Sequence, residues 1–135
     1  MDIRYLSDDF SVSPQIAVSD LQEIWKAGFR TIICNRPDNE DPGQPSVDEI
    51  ETAARKIGFA FAHISADSGR AGMNHAVETR RILADLPKPV FAYCRSGTRC
   101  TVIWSLMMLS ELDANVILAA TAAAGYDMSP VIAHD

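Results

Sequence analysis

The chain is poor in the residues that build disulfide frameworks, metal sites and membrane spans. Among its 135 residues are only three cysteines, an odd number without C-x-x-C spacing, and three histidines. This pattern argues against disulfides and against a zinc site, so a reducing, cytoplasmic location is expected. No cofactor is predicted. No stretch of about 18 or more apolar residues is present, which disfavours a membrane span. The first residues also lack the basic and apolar regions of a signal peptide.

Basic residues are also in deficit. The chain has 12 Lys and Arg against 18 Asp and Glu, a net charge of −6. With no basic run to offset this balance, nucleic acid is a poor candidate for a partner. The apolar fraction of 47% and the charged fraction of 22% are ordinary for a globular protein. No internal repeat or low-complexity tract divides the chain, so we predict one domain spanning residues 1–135.

The most informative feature that is present is the six-residue segment Cys94–Arg99. It lies between a short apolar strand, Pro89–Tyr93, and an apolar helix, Thr98–Leu109. A loop that leaves a strand and opens a helix directs free backbone N–H groups and the positive end of the helix dipole toward one point. The segment is therefore expected to bind an anion. Its predicted substrate-binding residues are Arg95, Ser96, Gly97 and Thr98.

Two residues of this segment carry the predicted chemistry. Cys94 would have its thiolate, the nucleophilic form of sulfur, stabilised by the loop. Arg99 can offer a planar set of donors to a tetrahedral oxyanion, and Gly97 allows the loop to turn through positive φ. The alternative is that Cys94 is an inert buried thiol. Two flanking arginines, Arg95 and Arg99, disfavour that alternative, and Cys94 and Arg99 are predicted to be catalytic.

The remaining pattern predicts an α/β fold with a mostly parallel central sheet flanked by helices, because strands and helices alternate at crossover spacing. Capping boxes are expected at Ser19 with Gln22 and at Ser46 with Glu49. The predicted strands are 3–6, 10–12, 31–34, 59–64 and 89–93, and the predicted helices are 19–28, 46–58, 74–83, 98–109 and 113–124.

In a parallel sheet, ligands bind beyond the carboxyl ends of the strands. Three loops meet there, namely 35–41, 65–73 and the Cys94 loop, so their charged residues are candidates to approach Cys94. Arg36 either adds a second positive charge to the anion site or forms a salt bridge with Asp38 or Glu40. The other candidates placed by this argument are Asp38, Asp67 and Arg70.

These residues resemble those of the family described as the phosphatase-like domain of beta-lactamase hydrolase-like proteins, which is related to dual-specificity phosphatases. The resemblance covers nearly the whole chain. It implies a phosphatase-like fold, a cysteine nucleophile and no metal. Asp67 matches the place where the related phosphatases keep their general acid; the alternative is a solvated loop carboxylate or a turn residue beside Gly69. Asp38 is the second candidate for the acid. The segments that carry it are Asn35-Arg36-Pro37-Asp38, Pro42-Gly43-Gln44-Pro45-Ser46, His63-Ile64, Pro87-Lys88-Pro89-Val90 and Tyr93–Arg99.

Two departures from the related phosphatases keep a second chemistry open. Four residues, rather than five, separate Cys94 from Arg99, and Cys100 stands where a hydroxyl usually follows the arginine. The shorter loop resembles that of single-domain rhodaneses, which carry sulfur as a persulfide. Cys100 is interpreted either as a resolving thiol or as a small buried residue in the hydroxyl's place.

The resulting expectation is a cysteine-dependent phosphatase-like hydrolase acting through a phosphocysteine. A sulfurtransferase carrying a Cys94 persulfide is the alternative, and a non-catalytic anion-binding module is the third possibility. The predicted partner is a small anionic substrate or a phosphorylated protein. The oligomeric state is left open, although the Ala-rich segment Ala114–Ala124 could pack against a neighbour.

Overall fold

The strands form one sheet with an antiparallel strand at one edge. The computed structural model describes residues 1–132. In this part of the chain the sheet has five strands in the order β1-β2-β5-β3-β4. The pair β1–β2 is antiparallel and the other pairs are parallel, which confirms the predicted fold class. The strands are Arg4–Tyr5 (β1), Phe10–Ser13 (β2), Thr31–Cys34 (β3), Ala60–His63 (β4) and Val90–Tyr93 (β5).

Helices cover both faces of this sheet. They are Leu21–Lys26 (α1), Val47–Ile57 (α2), Met73–Leu83 (α3), Thr98–Met108 (α4) and Ala114–Ala123 (α5), with a short 3-10 turn at Val18–Asp20. The cap at Ser46 is confirmed, since the Glu49 N–H donates to the Ser46 hydroxyl at 3.1 Å. The capping box at Ser19 is wrong, because the Asp20 carboxylate instead accepts from the Ala17 N–H at 2.8 Å.

The two faces of the sheet hold separate hydrophobic clusters. Along β5, Val90 and Ala92 pack into one cluster with helix α4, whereas Phe91 and Tyr93 pack into the other with α1 and α2. This alternation follows from the two-residue period of a strand, and burial on both faces explains why the parallel strands read as continuous apolar runs. Strand β5 is the central strand of the sheet and pairs with β2 on one side and β3 on the other. The start of the loop that follows β5 is therefore held on both sides.

None of the helices described is both long and apolar enough to cross a membrane.

Candidate active site

The Cys94 loop is held in a single conformation by its neighbours. Gly97 has φ of 89° at the start of α4, and its carbonyl accepts from the Thr101 hydroxyl at 2.8 Å. The Tyr126 hydroxyl donates to the Ser96 carbonyl at 3.0 Å. These contacts hold the loop with the Gly97 N–H directed at the Cys94 sulfur.

Nearby hydrogen-bond donors stabilise the sulfur of Cys94. The Gly97 N–H donates to Cys94 Sγ at 3.1 Å, and Cys94 is fully buried. A hydrogen bond from the Cys100 thiol lowers the pKa of Cys94 to about 6, although burial acts in the opposite direction. Backbone N–H groups of Cys100, Gly97 and Arg99 favour the thiolate further. Cys94 is therefore ionised near neutral pH, as a nucleophile requires.

Cys100 is the protonated member of this pair. Its side chain is fully buried, and burial, together with the hydrogen bond to Cys94, raises the pKa of Cys100 well above its ordinary value. The Cys100 thiol therefore keeps its proton and donates a hydrogen bond to the Cys94 sulfur. Cys100 is thus a small buried residue, as one of its two interpretations expected, and its role as a resolving thiol stays a prediction.

We expect Cys100→Ala to raise the pKa of Cys94. A hydrogen bond to a charged group contributes about 1.5–3 kcal/mol, which corresponds to a rise of about 1–2 pH units. The rate of Cys94 alkylation by iodoacetamide, followed against pH, should then rise at higher pH than in the unmodified protein, where it rises near pH 6. Cys34→Ala removes another buried thiol and is the control; equal profiles for both variants would contradict the assignment.

Arg99 is oriented from behind by a carboxylate. Its Nη1 and Nη2 each donate to one oxygen of Glu40 at 2.8 Å, and Nη1 also donates to the Ala66 carbonyl at 3.0 Å. A guanidinium has five N–H groups. Within residues 1–132, Nε–H and the second Nη2–H have no hydrogen-bond partner. These two adjacent donors form the edge that can hold two oxygens of an anion.

Arg36 is buried and bridges two carboxylates. Its side chain is 2% exposed, and its Nε donates to Glu40 Oε1 at 2.7 Å. Its Nη2 donates to Asp41 Oδ2 at 2.6 Å, and its Nη1 donates to Gln15 at 2.9 Å. The same Asp41 oxygen lies 3.0 Å from Nε of Arg95. Of the two predictions for Arg36, the salt bridge to Glu40 is the one the structure contains, whereas the contact with Asp38 is replaced by one with Asp41.

A polar cavity of about 490 Å³ opens beside the loop. Four of its lining residues come from the predicted site, and two come from the loop after β4. No carboxylate lines this cavity among the described residues, so the anion site is not opposed by a facing negative charge. The lining residues are Arg95, Ser96, Thr98, Arg99, Ser68 and Gly69.

Asp38 and Asp67 lie outside the cavity lining. The Asp38 carboxylate accepts from the Val47 N–H at 2.8 Å, so it caps the start of α2. Asp67 is exposed, next to the lining residue Ser68, and its carbonyl accepts from the Arg70 N–H at 2.9 Å. The structure therefore gives Asp38 a structural contact, and the role of Asp67 as general acid stays a prediction.

Three residues that contribute to the site were not predicted as site residues from the sequence. Glu40 was considered only as a partner for Arg36, and Gln15 and Tyr126 were not considered. A weak signal existed for Glu40, because it lies four residues after Arg36 in a loop expected at the same sheet edge. No local pattern points to Tyr126, which reaches the loop from beyond the end of α5.

Gly97 offers a direct test of the loop conformation. A Cβ there would lie 2.1 Å from the Tyr126 hydroxyl at a φ of +89°, whereas at Gly43, with φ +77°, nothing lies within 4 Å. Both Gly→Ala changes carry a backbone cost of about 1–2 kcal/mol. We expect Gly97→Ala to lower the free energy of unfolding in urea by a further ~1–3 kcal/mol because of the clash.

The second change that checks this prediction is Tyr126→Phe, which removes the clashing oxygen. In the Gly97→Ala background it should restore part of the lost stability, leaving the backbone cost. Equal urea midpoints for Gly97→Ala and Gly43→Ala would show that the contact with Tyr126 does not constrain the loop.

The fold and this loop define a class: α/β phosphatase-like domains with a cysteine loop between the central strand and a helix. The chain belongs to the family described as beta-lactamase hydrolase-like protein, phosphatase-like domain, whose model matches residues 2–112. The Beta-lactamase hydrolase-like protein of Agrobacterium fabrum is 28% identical over 75% of this chain, and that of Xylella fastidiosa is 28% identical over 78%. The matched part spans only 23% and 25% of those relatives.

Solved structures agree with this assignment. A protein of Neisseria meningitidis, provisionally described as a phosphatase, has 30% sequence identity and a TM-score of 0.85 over 96% of this chain and 93% of its own. The kinase associated phosphatase shares the fold, with a TM-score of 0.70, 13% identity and coverage of 92% and 82%. The family resemblance noted in the sequence is thereby confirmed.

Proposed function

We propose that the protein is a cysteine-dependent hydrolase of a small phosphate ester. The observation that carries this proposal is the combination of Cys94, whose sulfur accepts from the Gly97 N–H and whose pKa is lowered to about 6, with Arg99, whose two unpartnered donors belong to a residue that lines the cavity beside the loop. Membership of a phosphatase-like family and the likeness to phosphatase structures support it. The polar lining and the volume of about 490 Å³ fit a small anionic substrate.

In the proposed reaction the Cys94 thiolate attacks phosphorus, and the bond from phosphorus to the leaving oxygen breaks with its electron pair on that oxygen. The edge of Arg99 and the start of α4 stabilise the charge on the phosphoryl oxygens. Water then attacks the phosphocysteine, releasing inorganic phosphate and the thiolate. Asp67 is the proposed proton donor to the leaving group. Because Asp67 lies next to the cavity lining and not within it, protonation of the leaving oxygen should be inefficient, and esters of acidic phenols, which need it least, should react faster than alkyl esters.

A second candidate is sulfur transfer, in which Cys94 attacks the outer sulfur of thiosulfate, sulfite leaves, and a persulfide remains. The observation that favours it is the tight enclosure of the sulfur: Cys94 is fully buried, and the Gly97 N–H is directed at Sγ. A four-residue spacing before Arg99 and the absence of any need for a general acid are consistent with it. This chemistry uses the same thiolate and the same loop.

The test is to supply both substrates to the reduced protein, with Cys94→Ser measured in parallel. Release of phosphate from 4-nitrophenyl phosphate that depends on Cys94 is the expected result. Thiocyanate formation from thiosulfate and cyanide, without phosphate release, would overturn the proposal and establish sulfur transfer. Binding of inorganic phosphate without turnover of either substrate would instead indicate an anion-binding module.

A further inference from the structure

We propose that Arg36, which does not line the cavity, is a positioning residue for both arginines of the Cys94 loop. The proposal rests on the proposed function, because those arginines are its anion-binding groups. It arises from a five-residue chain of alternating charge, in which each link is a direct contact. In order, the residues are Arg99, Glu40, Arg36, Asp41 and Arg95.

The first branch controls Arg99. One oxygen of Glu40 accepts from both Arg36 Nε at 2.7 Å and Arg99 Nη2 at 2.8 Å, and the other accepts from Arg99 Nη1. The two arginines lower the pKa of Glu40 to about 2, with the hydrogen bond from Arg99 as the largest cause. A carboxylate fixed at one end by a buried guanidinium holds the Arg99 plane in one orientation, and that orientation decides where the free edge points.

The second branch controls Arg95. Asp41 Oδ2 accepts from Arg36 Nη2 at 2.6 Å and lies 3.0 Å from Arg95 Nε. Arg95 is 64% exposed. Solvent therefore screens the Asp41–Arg95 pair, which constrains Arg95 less than Glu40 constrains Arg99. The structure therefore gives Arg36 a strong link to the buried arginine and a weak link to the exposed one.

Only an arginine side chain has the donor geometry that this role requires at position 36. A planar guanidinium presents donors in fixed directions and can serve two carboxylates and Gln15 at once, whereas the compact ammonium of lysine cannot span all three acceptors. Its carbonyl is also within 2.9 Å of His63 Nε2. Loop 35–41 is thereby tied to β4 as well as to the Cys94 loop.

The expected result for Arg36→Lys is a loss of about 100-fold in kcat/KM for 4-nitrophenyl phosphate, the order of effect that a displacement of about 1 Å causes at a reacting centre. Glu40→Gln should produce a loss of the same order, and the double variant should lose little more than either single change. Asp41→Asn should raise KM with little change in kcat. Arg81→Lys, which alters a 73% exposed arginine, is the matched control.

Two further readouts separate positioning from general damage to the fold. Since the largest contributions that stabilise the thiolate come from the Cys100 thiol and the loop backbone, and Arg99 keeps its charge in both variants, the alkylation midpoint of Cys94 should stay near pH 6 in Arg36→Lys and in Glu40→Gln. The side-chain N–H signals of Arg99, followed by ¹⁵N NMR, should exchange slowly with solvent in the unmodified protein and rapidly in both variants.

The NMR result decides the positioning role whether or not the protein is a phosphatase. Slow exchange of the Arg99 signals in Arg36→Lys, or full additivity of the two changes, would overturn the proposal. Absence of phosphate release by the unmodified protein would contradict the proposed function while leaving the NMR comparison intact.

Discussion

Cys94→Ser is expected to abolish hydrolysis of an aryl phosphate, with kcat falling by about 10⁴-fold or more. A serine hydroxyl stays protonated in this loop, whereas the pKa of Cys94 is about 6, so only the cysteine supplies an anionic nucleophile at neutral pH. The variant should fold, because a serine side chain is only slightly smaller than cysteine and its oxygen can still accept from the Gly97 N–H. The measurement is kcat at saturating substrate, with circular dichroism confirming the fold.

Cys34→Ser is the matched control for this change. Cys34 is also buried, but it ends β3 and its thiol donates to the Arg36 carbonyl at 3.3 Å, a bond that a hydroxyl can reproduce. Its kcat should stay close to that of the unmodified protein. Equal losses in the two variants would mean that the effect is structural, and residual turnover by Cys94→Ser would assign the reaction to another nucleophile.

The second large effect is expected at Arg99. Arg99→Lys keeps the positive charge but removes the planar pair of donors, and a lysine ammonium cannot bind the two Glu40 oxygens and an incoming anion at once. Loss of one oxyanion-stabilising group lowers the rate by about 10²- to 10³-fold. We therefore expect a fall of that size in kcat/KM for 4-nitrophenyl phosphate, with the larger part in kcat.

The control for Arg99 is again Arg81, a surface arginine outside the Cys94 loop. Arg81 lies 4.0 Å from Glu78 and is 73% exposed, so Arg81→Lys should leave kcat/KM unchanged. If Arg99→Lys raises KM alone and leaves kcat intact, the guanidinium acts in ground-state binding only, and the transition-state role given to it is incorrect.

The Cys94 loop could be located from the sequence because its determinants are local. An apolar strand, a glycine and an apolar helix are adjacent in the chain, and together they fix a cradle whose chemistry follows from Cys94 and Arg99. The parallel sheet was equally accessible, since alternating strands and helices at crossover spacing allow few topologies. The cap at Ser46 followed from a four-residue pattern.

Contacts across long stretches of the chain were not accessible in this way. The Arg99–Glu40 pair joins residues 59 positions apart, and its formation depends on the path of an irregular loop after β3. Several acidic residues follow Arg36 at similar spacing, so only the three-dimensional structure shows that its partner is Asp41 and not Asp38. The failed capping box at Ser19 has a local cause, because the Asp20 carboxylate competes for the same helix start.

The most direct test of the central claim is the intact mass of the reduced protein after incubation with 4-nitrophenyl phosphate and rapid quenching in acid, with Cys94→Ser treated identically. The account predicts the gain of one phosphoryl group, located on Cys94 by fragmentation and absent from the variant. No gain in mass, together with the addition of one cyanide-removable sulfur atom after incubation with thiosulfate, would contradict it.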